Sequence, residues 1–140
     1  RTALARALER RRDHVPHHLF RQRRGIDEHR IQAAAEKMNC YIVLKGSETL
    51  VASPERDIYL NPFGSPHLAV AGSGDVLSGM IGAQLARRKG DGATLAELIS
   101  SSVALHAKAG AKGGWYLAGE LAGLVAVARQ EIERGDRKDH

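Results

Sequence analysis

Residues 71–75, with the sequence Ala-Gly-Ser-Gly-Asp, combine a glycine-rich turn with one carboxylate where a helix is predicted to begin. Glycine at positions 72 and 74 lets the backbone adopt turns that bring amide groups close to an anion. The first amides of the following helix have no partner inside it, so they point into the same space. The segment therefore predicts an anion-binding loop, with Asp75 beside it as a candidate general base.

Other glycine-rich motifs do not fit this segment. A phosphate-binding loop needs a lysine and a hydroxyl residue after its last glycine, and neither is present. A dinucleotide fingerprint needs glycine where this chain has Leu77. A nucleophile elbow needs glycine two residues before and two residues after its serine, and Ser73 has neither. One simpler interpretation stays open, in which Asp75 is only the N-terminal cap of the helix and contributes about 0.5 to 2 kcal/mol.

Hydrophobic patterning predicts the elements that position the loop. We expect a helix capped by Asp27 that runs to about residue 38, then a strand over residues 41–44 that is covered on both faces. Residues 49–53 and 57–60 are typical of a hairpin. Three helices are predicted near residues 76–88, 94–111 and 117–133.

Two features of these predicted helices need a physical reason. Small residues recur about once per turn on the first of them, at Ser78, Gly79, Gly82, Ala83 and Ala86. Because glycine inside a helix costs about 0.5 to 1 kcal/mol relative to alanine, this face suggests close approach of a backbone or ligand, or simply close helix packing. His106 lies among apolar residues of the second helix, and we interpret it as a packed or half-exposed side chain rather than a catalyst.

Two blocks of sequence carry a family resemblance. Residues 61–66 (Asn-Pro-Phe-Gly-Ser-Pro) and 68–79 resemble the anion-hole signature of the ribokinase-like superfamily. Within it, they are most similar to the ADP- or ATP-dependent NAD(P)H-hydrate dehydratases. Residues 43–52, which include Lys-Gly-Ser-Glu-Thr, are similar to that family's nucleotide-contacting strand and turn, and residues 116–121 resemble its closing helix less specifically. The resemblance covers about residues 26–132.

The resemblance implies an α/β fold, namely the C-terminal portion of a ribokinase-like three-layer α/β/α architecture that is incomplete in this chain. We expect a basic N-terminal arm over residues 1–25, non-native or disordered, the C-terminal part of the dehydratase domain over residues 26–134, and a polar tail over residues 135–140. In the family, the first half of the domain carries much of the sheet and contributes substrate contacts. We therefore expect the isolated 140-residue chain to show no turnover.

The activity implied by the resemblance is a nucleotide-driven dehydration. The family's substrate is hydrated NADH or NADPH (NADHX or NADPHX), whose ring hydroxyl is phosphorylated by ADP or ATP, and loss of phosphate restores the cofactor. Mg²⁺ shields the phosphates in this reaction. The resemblance thus implies a lyase of metabolite repair, and it further implies a homo-oligomer, a tetramer in many members.

Residue roles follow from the resemblance by position. Asp75 corresponds to the catalytic aspartate that contacts the substrate. The nucleotide contacts correspond to Lys45, Gly46, Ser47, Glu48, Thr49, Gly72, Ser73 and Gly74. Lys45 also has an interpretation as a solvated rim residue, and Ser47 and Thr49 as ordinary hairpin residues. Asn61 and Gly64 are expected to form the turn that leads to the loop.

The N-terminal arm departs from the family pattern. The sequence Val15-Pro16-His17 keeps the proline and histidine of a family Thr-Pro-His motif, which makes His17 a candidate substrate contact. Because the following residues do not match, we hypothesise that residues 1 to about 24 are a frame-shifted reading. The other reading frames of the coding DNA test this idea.

Charge and composition exclude several function classes. Nine of the 21 Lys and Arg residues lie in the first thirty positions, so the net charge of +5 is largely that of the arm. Phe20 is the one Phe, Tyr or Trp in these thirty positions, so the arm lacks the aromatic side chains that stack on bases, which disfavours nucleic-acid binding. Pro16 interrupts the nearby histidines and no cysteine is near, so we predict no metal site there.

The remaining composition indicates a reducing compartment. Cys40 is the single cysteine, which excludes an internal disulfide. The sequence contains no run of eighteen apolar residues and no signal-peptide pattern, so we expect a cytoplasmic protein with no membrane partner.

Two rival functions stay open on the sequence alone. A small-molecule kinase of the same superfamily, acting on a vitamin precursor, would share the glycine loop and Asp75 but would leave a phosphorylated product. A non-catalytic, degenerate fragment would be insensitive to replacement of Asp75.

Overall fold

Helices cover both faces of a small sheet in the computed structural model, which describes residues 21–87, 93–112, 114 and 117–138. Helix α1 spans Arg21–Met38, and strands β1, β2 and β3 span Ile42–Leu44, Thr49–Ala52 and Ile58–Asn61. A short 3-10 helix spans Pro66–Leu68, and helices α2, α3 and α4 span Ser73–Ala86, Leu95–Gly110 and Ala118–Lys138. The predicted order of elements is confirmed.

The three strands form an antiparallel sheet in the order β1-β2-β3. Val51 in the central strand pairs with Val43 of β1 and Tyr59 of β3. The predicted hairpin between β2 and β3 is present, and its turn is closed by the Ser53 amide, which donates to the Asp57 carbonyl at 2.9 Å. The sheet holds the loops after β1 and β3 at neighbouring positions.

Alternation along each strand directs apolar side chains to both faces of the sheet. Leu50 and Ala52 pack against α1, whereas Val51 packs against α2 and α3. In β1, Ile42 and Val43 pack half-buried against these two layers in turn, while Leu44 is exposed, so this strand is covered less than predicted. The result is a three-layer α/β/α arrangement.

Helices α2, α3 and α4 form the layer that carries the glycine loop. Helix α3 begins at a capping box, in which the Glu97 amide donates to the Thr94 hydroxyl at 3.2 Å and the Glu97 carboxylate accepts from the Thr94 amide at 2.9 Å. Leu121 and Ala128 of α4 are fully buried against α3. These contacts fix the end of α3 near the start of α2.

Three predicted helix boundaries are corrected by the structure. Helix α1 is already helical at Arg21, so Asp27 lies inside it and is not its cap, and residues 21–25 of the predicted arm belong to this helix. Helix α4 continues to Lys138 and includes part of the predicted tail. Arg and Lys are good helix formers, and those near Gly25 in α1 and Gly135 in α4 allow each helix to continue through its glycine.

The predicted helix near residues 76–88 starts earlier, at Ser73, and its last predicted residue lies outside the described ranges. Within the described parts of the chain, no helix has both the length and the apolar character needed to cross a bilayer. The histidines at positions 14, 17 and 18, including the candidate substrate contact His17, lie outside the described residues.

Candidate functional site

The glycine loop turns sharply at Gly72 before α2 begins. Gly72 is the N-cap residue of α2 and has a left-handed φ of 86°. A Cβ at this position would lie 3.0 Å from the Cβ of Ala118, at the start of α4. Both the conformation and the close approach require glycine here.

Several amides of this loop lack an acceptor among the described residues. The Ser73 amide donates to the Val70 carbonyl at 3.2 Å, which closes the turn. No described residue accepts from the amides of Ala71, Gly72 and Gly74. Three donors gathered at a helix N-terminus are compatible with anion binding, which stays a prediction from the sequence.

Asp75 occupies the first turn of α2 with an exposed side chain. Its Oδ2 lies 4.0 Å from the position that a Cβ on Gly72 would occupy, which places the carboxylate beside the loop. The cap of α2 is Gly72, without a side-chain hydrogen bond. The interpretation of Asp75 as a simple helix cap is therefore wrong.

Lys45 brings a positive charge to the same loop from the end of β1. Its Nζ lies 3.6 Å from the position that a Cβ on Gly74 would occupy. The ammonium thus lies beside Gly74, and the residue is otherwise exposed. The position is compatible with a solvated rim residue and with the predicted nucleotide contact, which stays a prediction.

The loop from Gly46 to Glu48 contacts the segment that follows strand β3. A Cβ on Gly64 would overlap the carbonyl oxygen of Ser47, so the two backbones touch. Asn61, which is buried, donates from Nδ2 to the Phe63 carbonyl at 2.8 Å and shapes the turn before Gly64. Both residues act as turn formers, as their sequence context predicts.

Replacing Gly64 by alanine tests this backbone contact. The added Cβ requires the Ser47 loop to move, so we expect Gly64→Ala to lower the free energy of unfolding by about 1 to 3 kcal/mol. Gly79→Ala is the matched control, because its Cβ would meet nothing within 4 Å and alanine favours a helix. Equal urea midpoints for Gly64→Ala and the unmodified chain would contradict the contact.

Ser73 is a structural member of the loop rather than an available ligand. Its side chain is buried, and its hydroxyl donates to the Leu68 carbonyl at 2.7 Å. With its amide also donating to Val70, Ser73 offers a ligand neither of these donors. Its predicted nucleotide contact stays a prediction, which these two donors do not support.

His106 is a buried polar group that sequence reasoning did not assign to the site. It is 2% exposed, and its Nε2 lies 2.9 Å from the Ser73 carbonyl oxygen. Burial lowers the pKa of His106 below its ordinary value, the Lys45 charge lowers it further, and the hydrogen bond opposes them. Its position among the apolar residues of α3 was the sequence signal for its burial.

The lowered pKa of His106 makes stability depend on pH. Below about 6.5, the ordinary value for histidine, the unfolded chain binds a proton that the folded chain resists. The free energy of unfolding should therefore fall as the pH drops through this value. Urea titrations above and below it measure the loss, and His106→Gln should reduce it, whereas an unchanged loss would contradict the assignment.

A cavity of about 530 Å³ opens between these elements. The residues that line it include Lys45, Ser47, Thr49, Phe63 and His106. Its volume lies within the range of small-molecule sites, which are mostly apolar with a few directed polar groups. Thr49 is buried and Glu48 half-buried beside it.

Other parts of the described chain show no comparable chemistry. No group of three or more His, Cys, Asp or Glu residues capable of holding a metal occurs among the described residues. The small-residue face of α2 is exposed, and a Cβ on Gly79 or Gly82 would meet nothing within 4 Å. No described backbone approaches these two glycines.

Comparison with known proteins identifies the relatives of this chain. A family model described as NAD(P)H-hydrate dehydratase matches residues 24–114. The ADP-dependent (S)-NAD(P)H-hydrate dehydratase of Neisseria meningitidis is 44% identical over 90 residues, which cover 62% of this chain and 29% of that protein. A bifunctional NAD(P)H-hydrate repair enzyme of Gloeobacter violaceus is 54% identical over 56 residues, or 40% of this chain and 11% of that protein.

A solved structure agrees with the fold. The ADP/ATP-dependent NAD(P)H-hydrate dehydratase of Bacillus subtilis, co-crystallised with ATP/Mg²⁺, superposes with a TM-score of 0.69 and 27% identity. The match covers 78% of this chain and 40% of that chain. The chain therefore has the architecture of one portion of the ribokinase-like fold and spans less than half the length of these relatives.

Proposed function

Because the chain belongs to the NAD(P)H-hydrate dehydratase family, we propose that it provides the nucleotide site and the general base for ADP- or ATP-dependent dehydration of hydrated NADH and NADPH. The observation that carries this proposal is that the Lys45 ammonium lies beside Gly74 and the Asp75 carboxylate beside Gly72, in a loop whose Gly72 and Gly74 amides have no described acceptor. A cation and free amides suit a phosphate, and the adjacent carboxylate suits a hydroxyl that must lose its proton.

The chemistry assigned to these residues is positioning and charge stabilisation. Phosphoryl transfer needs charge neutralised on the transferred group, since the nucleotide itself supplies the bond that breaks. The free loop amides and Lys45 would hold the terminal phosphate in place. Asp75 would accept the proton of the ring hydroxyl as its oxygen bonds to phosphorus. The later departure of phosphate, together with a proton from the neighbouring ring carbon, restores the double bond of the nicotinamide ring.

Mg²⁺ fits this site as an ion carried by the nucleotide. Magnesium is commonly held by one or two carboxylates together with substrate phosphates, rather than by an all-protein cage. With Asp75 assigned to the base and no group of three or more metal-ligating side chains among the described residues, the phosphates of the nucleotide would be the main ligands of the ion. When bound, the ion would neutralise phosphate charge.

The cavity next to the loop suits the rest of the nucleotide. It extends from Lys45 and Ser47 toward apolar residues such as Leu77 and Val103. The proposal also carries a cytoplasmic location, inferred from the cysteine content and sequence pattern, and a homo-oligomeric state, implied by the family resemblance. Light scattering on the purified protein measures the second of these.

A chimera tests the proposed reaction. Residues 24–114 of this chain replace the matching segment of the Neisseria meningitidis relative, which then supplies the remainder of a domain. We expect ADP-dependent regeneration of NADH from hydrated NADH, with release of free phosphate. The parent enzyme serves as the control for assay and folding.

The test has distinct failing results. Accumulation of a phosphorylated product would identify a kinase and overturn the proposal. A folded chimera that binds ADP without regenerating NADH would also overturn it. ADP binding by the 140-residue chain, measured by calorimetry, tests the nucleotide site separately from turnover.

A further inference from the structure

Helix α3 carries His106, a buried polar residue that contacts the backbone at the end of the glycine loop. We propose that His106 is a positioning residue of the nucleotide site, which holds the Ser73 carbonyl and thereby orients the free amides of the loop toward the phosphate. This inference rests on the proposed nucleotide site and adds a residue outside the two blocks that define it. His106 acts through the loop and does not itself bind the phosphate.

The hydrogen bond defines which form of the ring is needed. The Nε2 atom of His106 lies 2.9 Å from the Ser73 carbonyl oxygen. Since a carbonyl oxygen accepts only, Nε2 must carry the hydrogen. The contact joins α3 to the first residue of α2 across 33 positions of sequence, so it fixes the start of the helix that carries Asp75.

A second contact from the same helix supports the loop. Gly110 lies one turn after His106, and a Cβ there would overlap the side chain of Leu68. Leu68 in turn accepts the hydroxyl hydrogen of Ser73 through its carbonyl at 2.7 Å. One face of α3 therefore supports both ends of the segment from Leu68 to Ser73.

The electrostatics distinguish positioning from direct anion binding. Burial, together with the nearby Lys45 charge, lowers the pKa of His106 and favours the neutral ring at neutral pH. A neutral ring adds no net charge to attract phosphate. Its contribution is geometric, because preorganised amides need no rearrangement when the anion arrives.

Three variants of the 140-residue chain separate these roles. His106→Leu removes the donor, and His106→Gln restores a donor of similar reach. Ser102→Ala is the matched control, since Ser102 is a buried α3 residue whose hydroxyl donates to the Leu98 carbonyl, away from the loop. Calorimetry then compares ADP with adenosine, which lacks phosphates.

We expect His106→Leu to weaken ADP binding about tenfold while adenosine binding changes little. His106→Gln should recover most of the ADP affinity, and Ser102→Ala should match the unmodified chain. Unchanged ADP affinity in His106→Leu would overturn the inference. Equal losses for ADP and adenosine would also overturn it, because they would indicate a role in shaping the cavity.

Hydrogen exchange without nucleotide tests the anchoring itself. Amides of residues 69–76 should exchange faster in His106→Leu than in Ser102→Ala, and His106→Gln should restore protection. Equal exchange in all variants would overturn the inference whatever ADP does. Failure of the unmodified chain to bind ADP would instead overturn the proposed nucleotide site, so the two failures are distinguishable.

Discussion

Asp75→Asn is expected to reduce turnover by about a hundred- to ten-thousand-fold, the range in which a general base contributes. The asparagine side chain has nearly the same shape but cannot take the proton of the ring hydroxyl. Because Asp75 is exposed and accepts no hydrogen bond from a described residue, folding should be unaffected. Turnover is measured in the chimera, by regeneration of NADH with ADP.

Binding separates the loss of a base from damage to the site. ADP affinity of the Asp75→Asn chain should be unchanged or slightly higher, since a negative charge beside the phosphates is removed. Asp57→Asn is the matched control, because Asp57 is an exposed carboxylate in the β2–β3 turn. Full activity in Asp75→Asn would show that this carboxylate is not the base and would favour a non-catalytic role.

Lys45→Met is expected to weaken ADP binding by about ten- to a hundredfold. Hydrogen bonds to charged groups contribute about 1.5 to 3 kcal/mol, and each 1.4 kcal/mol corresponds to a factor of ten in affinity. The Nζ position beside Gly74 implies that the loss falls on the phosphate part of the ligand. Calorimetry with ADP and adenosine should therefore show a large loss for the first and a small one for the second.

A lysine away from the loop provides the comparison. Lys37→Met removes an exposed ammonium from the last turn of α1, and we expect it to leave ADP affinity unchanged. If both lysine variants weaken ADP equally, the effect is one of general charge. That result would contradict a specific contact by Lys45.

Local patterning was sufficient for the order of the elements. The hairpin over residues 49–60 and the helix near residues 94–111 were predicted from residues within short windows, and the structure confirms both elements. The glycine turn before a helix was also predictable from the sequence, whereas the anion-binding role of this loop stays a prediction. The helix boundaries near Asp27 and in the polar tail could not be predicted from the sequence, since charged residues occur in helices as well as in solvated loops.

Contacts between distant segments were beyond the reach of sequence patterns. The approach of Ser47 to Gly64 and the bond from His106 to Ser73 depend on how the sheet places loops against α3. Spacing gave Lys45 two plausible interpretations, and the three-dimensional structure shows its ammonium beside Gly74. Chemistry at this site therefore arises from packing between separate blocks.

The central claim is that the Lys45–Thr49 block and the glycine loop form one phosphate site, and an amide NMR titration of the chain with ADP and Mg²⁺ tests it most directly. We predict shifts at the amides of Gly72 and Gly74 together with those of the Lys45 block, while Gly79 and Gly82 in the same helix stay unchanged. Shifts confined to other parts of the chain, or none at saturating ADP, would contradict the account.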